Sequence, residues 1–227
     1  MRCRLVGSEM CIRDRPDSMR MNFTVPEGLM CVSNGLLIDH KSSEGKETYS
    51  WQTNYTINAY NATLYIGKYV HFAEEYQNGD YSFPLDYYVL PHNLEKAKER
   101  FKETIDVISF YEKVFGPYPW KDETFKLVES PYAGMEHQSA IAYGEEYGEG
   151  YMNEIYGYDY ILVHETAHEW WGNSLTAPDF AEIWLHEGFA TYSESLYREA
   201  TVDYQAYLDN LRTVSYTHLR AHETTSH

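Results

Sequence analysis

Apolar and polar positions change their spacing twice along this chain, and each change predicts a different kind of element. From Met21 to about Leu90 the pattern is one of partial alternation. The stretch WQTNYTINAYNATLYIGKYVHF is dense in Tyr, Thr, Ile and Val, with Asn58, Asn61 and Gly67 as punctuation, which predicts short strands. Pro26 and Gly28 mark one turn, Asn34-Gly35 predicts a hairpin, and Gly45 and Asn78-Gly79 mark further turns. After Pro91 the spacing lengthens to three and four. Leu94, Ala97, Phe101, Ile105, Ile108, Tyr111 and Phe115 form one apolar stripe, predicting a single helix capped by Asn93 and stopped by Gly116-Pro117. FKLVESPY then reads as a strand, AGMEHQ as a turn and SAIAYG as a second strand. A Gly- and Glu-rich surface loop follows. Tyr160, Ile161, Leu162 and Val163 open a second helix, closed by Gly172-Asn173, and TAPD supplies start signals for a third.

This order predicts an α+β fold. Residues 21–90 read as the C-terminal part of an all-β domain, and residues 91–214 as a mixed sheet with helices, truncated at its C-terminal side. The two ends differ in composition from what lies between them. MRCRLVGSEMCIRDR carries four arginines without periodicity, and SYTHLRAHETTSH is a polar His- and Thr-rich string. Both read as adapter-like, non-native sequence, so residues 1–20 and 215–227 are set aside. That leaves Cys31 as the one native cysteine, which makes no disulfide framework.

Charge narrows the partners. The 227 residues carry a formal net charge of −17, which argues against nucleic acid or an anionic membrane as a partner, because a polyanion is repelled. No apolar run approaches the roughly 18 residues a membrane span requires, and nothing in the residues assigns a compartment.

The chemistry concentrates in HETAHEWWGN. His164 and His168 stand four apart, so on one helix they present two imidazoles to a single metal ion. Glu165, rotated about 100° around the axis, can reach a metal-bound water without ligating. A third ligand is offered by Glu187 in WLHEGFATY, 19 residues after His168. Two histidines and a carboxylate leave one tetrahedral position open, as catalytic rather than structural zinc requires. The apolar residues before His164 bury this helix, where two histidines without partners would be costly. By contrast HLRAHETTSH, with His218, His222 and Glu223, has no apolar stripe and no downstream acid, and is read as non-functional.

With GMEHQSAIAYG, HETAHEWWGN and WLHEGFATY in this order, the chain from about Pro26 to Thr213 resembles the zinc aminopeptidases of the aminopeptidase N and leukotriene hydrolase superfamily, gluzincins with a thermolysin-like catalytic domain. The resemblance implies one zinc per chain on His164, His168 and Glu187, with Glu165 as general base. It implies a substrate site at Gly134, Met135 and Glu136, whose carboxylate binds the free α-ammonium of a peptide, so that peptides with a free N-terminus are the expected partners. Glu194, Trp170 and Asn173 are expected to support the ligands; a ligating histidine normally donates its other N–H to a carboxylate such as Glu194.

The motifs also depart from the family pattern at Ala133, His137 and His186, of which neither histidine is read as a ligand. The family tyrosine that stabilises the oxyanion lies beyond the last residue, so the chain is expected to be weakly active or inactive as it stands. Two other readings share these residues, an epoxide hydrolase of the leukotriene type and a non-catalytic zinc or peptide-binding module.

Overall fold

The computed structural model describes residues 15–144, 147, 153 and 156–223, with side chains through Thr213. Most of the Gly- and Glu-rich loop, residues 1–14, and the side chains of His218, His222 and Glu223 lie outside the described residues.

Five strands make a small β-rich module. β1 (Met19–Pro26), β4 (Lys46–Thr53) and β3 (Leu36–Ser43) form one antiparallel sheet, and β2 (Met30–Ser33) pairs with β5 (Leu64–Gly67). The turn at Glu44 and Gly45, both at positive φ, makes the β3–β4 hairpin, the geometry a two-residue connection favours. Asn34-Gly35 is no hairpin. It passes the chain from β2 in one sheet to β3 in the other. The tight bend is needed because a Cβ on Gly35 would stand 2.1 Å from the Gln52 carbonyl oxygen.

A five-stranded mixed sheet follows, in the order β6 (Val70–Asn78), β7 (Tyr81–Val89), β8 (Phe125–Glu129), β10 (Ile141–Tyr143), β9 (Gly134–Met135). β7, β8 and β10 run parallel; β6 and β9 are antiparallel edges. This sheet corrects the boundary expected near residue 90, because β6 and β7 are hydrogen-bonded into the same sheet as β8. The segment assigned to the end of the β-rich domain therefore supplies two strands of the second unit.

Strand alternation sorts the two faces. Phe83, Leu85, Tyr87, Val89, Phe125, Leu127, Ile141 and Tyr143 join the core beneath the helices. Tyr88, Val128 and Ala142 join Val25, Val32, Tyr49 and Trp51 in a second core, so the β-rich module covers the opposite face. The sheet is thus a middle layer, consistent with the α+β class.

The single helix expected after Asn93 is two, α1 (Leu94–Arg100) and α2 (Glu103–Phe115). At the break, fully buried Phe101 packs on Phe72, Tyr87 and Tyr143, and inserting that ring outweighs continuing the helix. Asn93 turns its amide to Glu129 and not to the helix terminus.

Three more helices are α3 (Tyr160–Ala167), α4 (Trp184–Thr201) and α5 (Tyr204–Glu223). β1 begins inside the segment set aside as residues 1–20, and Arg15 donates to the carbonyls of Asn173 and Ser174, so that segment is folded from residue 15 onwards. α5 likewise continues through residue 215 with no break in the backbone. No helix among the described residues is long and apolar enough to cross a membrane.

Candidate metal centre

α3 starts where Asp159 accepts a hydrogen bond from the Leu162 amide at 3.0 Å, a side-chain cap at the helix entrance. The same carboxylate takes Arg100 and the Tyr143 hydroxyl, both at 2.6 Å, which fixes the helix start against the sheet. The helix ends at Ala167, earlier than the expected stop at Gly172-Asn173. His168 keeps helical backbone angles as the cap residue, so the four-residue spacing still stacks both imidazoles on one face.

The two Nε2 atoms stand 3.1 Å apart, and Glu187 Oε2 lies 3.3 Å from that of His164 and 3.7 Å from that of His168. Donors bound to zinc at about 2.0–2.1 Å in a tetrahedron are separated by about 3.3 Å, so the three atoms already have the spacing one metal ion requires. The chemistry of the donor set fits as well. Each histidine commits its Nδ1 elsewhere, His164 to Glu194 Oε1 at 2.7 Å and His168 to the Trp171 carbonyl at 3.0 Å, which places the proton on Nδ1 and frees Nε2. Glu194 is fully buried and held in turn by the Tyr158 hydroxyl at 3.1 Å.

Electrostatics reinforces this grouping. Burial opposes charge on both imidazoles, yet hydrogen bonds to carboxylates, from Glu187 and Glu194 at His164 and from Glu187 at His168, hold the two above the ordinary range. Glu187 falls well below the carboxylate range through its contacts with both histidines.

Glu165 lies beside this triad. Desolvation pushes its carboxyl up to about 7, the two histidines pull it back, and Glu136 and Glu187 add to the rise. Gly134 makes the space: a Cβ there would stand 2.3 Å from Glu165 Oε1. Glu136, Glu165 and His168 offer ligand atoms within 4.8 Å of one another, so both carboxylates border the triad. Both are buried, at 5% and 7% exposure, and neither carboxylate has a hydrogen-bond partner among the described residues.

Two expected site residues stand elsewhere. The Trp170 indole donates to the Gly116 carbonyl at 3.1 Å and packs on Tyr111, Phe115 and Tyr118, so it supports the core and not the histidines. Met135 sits between Gly134 and Glu136 on β9, and strand alternation turns its side chain into the second core, away from the triad. Asn173 is fully buried and donates to the Glu136 carbonyl at 2.8 Å. His186, read as a non-ligand, accepts from the Ala177 amide at 2.8 Å and lies 3.4 Å from the Tyr60 hydroxyl.

Three residues that no short motif flags stand close by. Glu169, fully buried, accepts from the Trp120 indole and the Ser139 amide; Asn61 and Asn34 reach the same region from the β-rich module. The one sequence signal for Glu169 was a carboxylate placed directly after a ligand-spaced histidine in an apolar setting.

Known proteins are similar to this chain in sequence and in fold. The Peptidase family M1 domain profile matches residues 99–226. The chain is 26% identical over 179 residues to a leucyl aminopeptidase of Saccharolobus solfataricus, covering 76% of this chain and 22% of that protein. It is 27% identical over 194 residues to aminopeptidase N of Streptomyces lividans, covering 80% and 22%. Among solved structures, the M1 zinc metallopeptidase of Deinococcus radiodurans superposes with a TM-score of 0.70 at 20% identity, over 89% of this chain and 44% of that one. Aminopeptidase A of Legionella pneumophila, in complex with aspartic acid, gives 0.73 at 19% identity over 84% and 24%. The chain thus spans less than half the length of each of these proteins. With the profile covering more than half of the residues and the donor triad lying inside the matched segment, the chain belongs to peptidase family M1.

Proposed function

We propose that this chain carries the zinc centre of an aminopeptidase, which removes the first residue from peptides with a free N-terminus. One observation carries the reading: three donor atoms converge at metal-ligand spacing while two buried carboxylates, Glu165 and Glu136, border the same point without hydrogen-bond partners among the described residues.

His164, His168 and Glu187 would hold one zinc ion. Zinc, when bound, lowers the pKa of water towards about 7 and polarises a carbonyl group. Glu165 acts as the general base. Its pKa of about 7 suits it to take a proton from the attacking water and to give that proton to the departing amine nitrogen. Gly134 leaves room for this carboxylate to move between the two positions. Glu136 binds the substrate's α-ammonium by a charge-assisted hydrogen bond, which requires a chain end and so selects aminopeptidase over endopeptidase cleavage. Glu194 and the Trp171 carbonyl hold the histidine rings in the ligating orientation.

A module that only bound zinc or peptide would have no use for Glu165, whose buried carboxylate makes no hydrogen bond among the described residues. The test is Glu165→Gln in the full-length protein. Hydrolysis of an aminoacyl-p-nitroanilide should fall by about 10²–10⁴ while zinc content stays the same. Unchanged hydrolysis would remove Glu165 from the mechanism.

A further inference from the structure

The loop from Glu136 to Ala140 is held by hydrogen bonds with the β-rich module and with Glu169. Asn34 of the β-rich module donates to the Gln138 carbonyl at 2.6 Å, and the Gly35 amide donates to Ser139 Oγ at 2.9 Å. Tyr65 donates to the Ala140 carbonyl at 2.9 Å, which leaves its oxygen to accept from His137 Nδ1 at 2.7 Å. Ser139, at the strained φ of 55°, gives its amide to Glu169 at 2.8 Å. Among the described residues the Glu136 carboxylate and the buried Gln138 Oε1 have no hydrogen bond.

The last clamp runs through two amides whose orientation is forced. The Glu136 carbonyl can only accept, and so can Glu169 Oε2; Asn173 Nδ2 faces both, at 2.8 and 3.4 Å. Asn173 must therefore turn its Oδ1 away, towards Asn61, and Asn61 must answer with Nδ2. The Asn61 Oδ1 is left buried without a partner, so its amide is set by Asn173 and not by its own oxygen. Both side chains are fully buried, and 112 residues separate them.

We propose that Asn61 is a positioning residue for ammonium recognition: through Asn173 it fixes the Glu136 backbone, so the β-rich module sets where the α-ammonium carboxylate stands. This rests on the reading of Glu136 given above. Glu136 enters the site from a two-residue edge strand, too short to hold it there by ladder hydrogen bonds alone. The Asn61–Asn173–Glu136 chain supplies the missing constraint.

The test uses Asn61→Asp in the zinc-loaded, full-length protein. The substitution is isosteric but sets an acceptor against Asn173 Oδ1, and Asn173 cannot turn without losing the Glu136 carbonyl. Binding of two probes is measured by calorimetry: leucinamide, which carries an ammonium, and acetohydroxamic acid, a metal chelator without one. Loss of one charge-orienting contact should weaken leucinamide by about tenfold and leave acetohydroxamic acid within about twofold. Equal leucinamide binding, or parallel weakening of both probes, would overturn the proposal. A wild type that binds acetohydroxamic acid but not leucinamide would instead refute the ammonium role of Glu136, and this inference with it. If Asn61→Asp does not fold, Asn61→Ala, which removes the donor, is judged by the same two probes.

Discussion

At Gly134 the structure makes a demand that one methyl group can test. A Cβ at that position meets Glu165 Oε1 at 2.3 Å, so Gly134→Ala should displace the proposed general base and lower kcat by at least about tenfold with zinc content unchanged. Steady-state kinetics beside elemental analysis checks this. Glu194→Gln acts one layer out, where the carboxylate orients His164; zinc affinity, read by chelator competition, should fall about 10–100-fold. Residues of this kind divide by how far their partners lie in sequence. His164, Glu165, His168 and Glu187 come together as their spacing predicts, because one helical turn and one helix–turn–helix spacing place all four. Asn61, Asn34 and Glu169 are not legible in the sequence, because each acquires its role from a residue tens of positions away, and Trp170 was misjudged because its neighbours in space are Tyr111 and Tyr118. Lys126 belongs to the same hidden class. It is buried, donates to the Gly35 carbonyl and lies over the Trp51 ring, and burial lowers its pKa to about 8. Between that value and the unfolded value of about 10.4, the unfolded chain keeps a proton that the folded one has lost. Stability relative to Lys126→Met should therefore rise with pH across this window, by up to about 3 kcal/mol, as read from denaturant midpoints.

Among the elements, α3 has most to do, since it presents both histidines and Glu165 from a single apolar segment. Its position depends on Asp159, which caps the helix and also receives Arg100 and Tyr143. Asp159→Ala removes the cap, worth about 1 kcal/mol, and orphans two polar groups at about 1–3 kcal/mol more. A loss of about 2–4 kcal/mol in chemical denaturation is expected, and a change under about 0.5 kcal/mol would show that the helix is held by packing alone. Local pattern predicts the element where it agrees with tertiary packing, as at the Gly45 turn, which joins β3 to β4. It fails where packing overrides it. The periodic stripe from Leu94 to Phe115 is continuous in sequence, yet the helix breaks to bury Phe101. Asn34-Gly35 has the residues of a hairpin, but its flanking strands find partners in different sheets.

For the molecule as a whole, the largest difference from the sequence reading is the place of the boundary between its two parts. Composition changes near residue 90, but hydrogen bonding does not, because β6 and β7 complete the sheet that β8 and β10 continue. Hydrophobic alternation shows that a strand exists and not which neighbour it joins. The β-rich module also covers Tyr88, Val128, Ala140 and Ala142 and clamps the Glu136 loop, so it is part of the site's architecture. The central claim is that His164, His168 and Glu187 together hold one metal ion. Elemental analysis of the purified, folded protein tests it most directly, with His164→Ala alongside. About one zinc per chain, lost in His164→Ala while the fold persists, is the predicted result. A folded wild type without zinc, or a His164→Ala variant that keeps its full complement, would contradict the assignment.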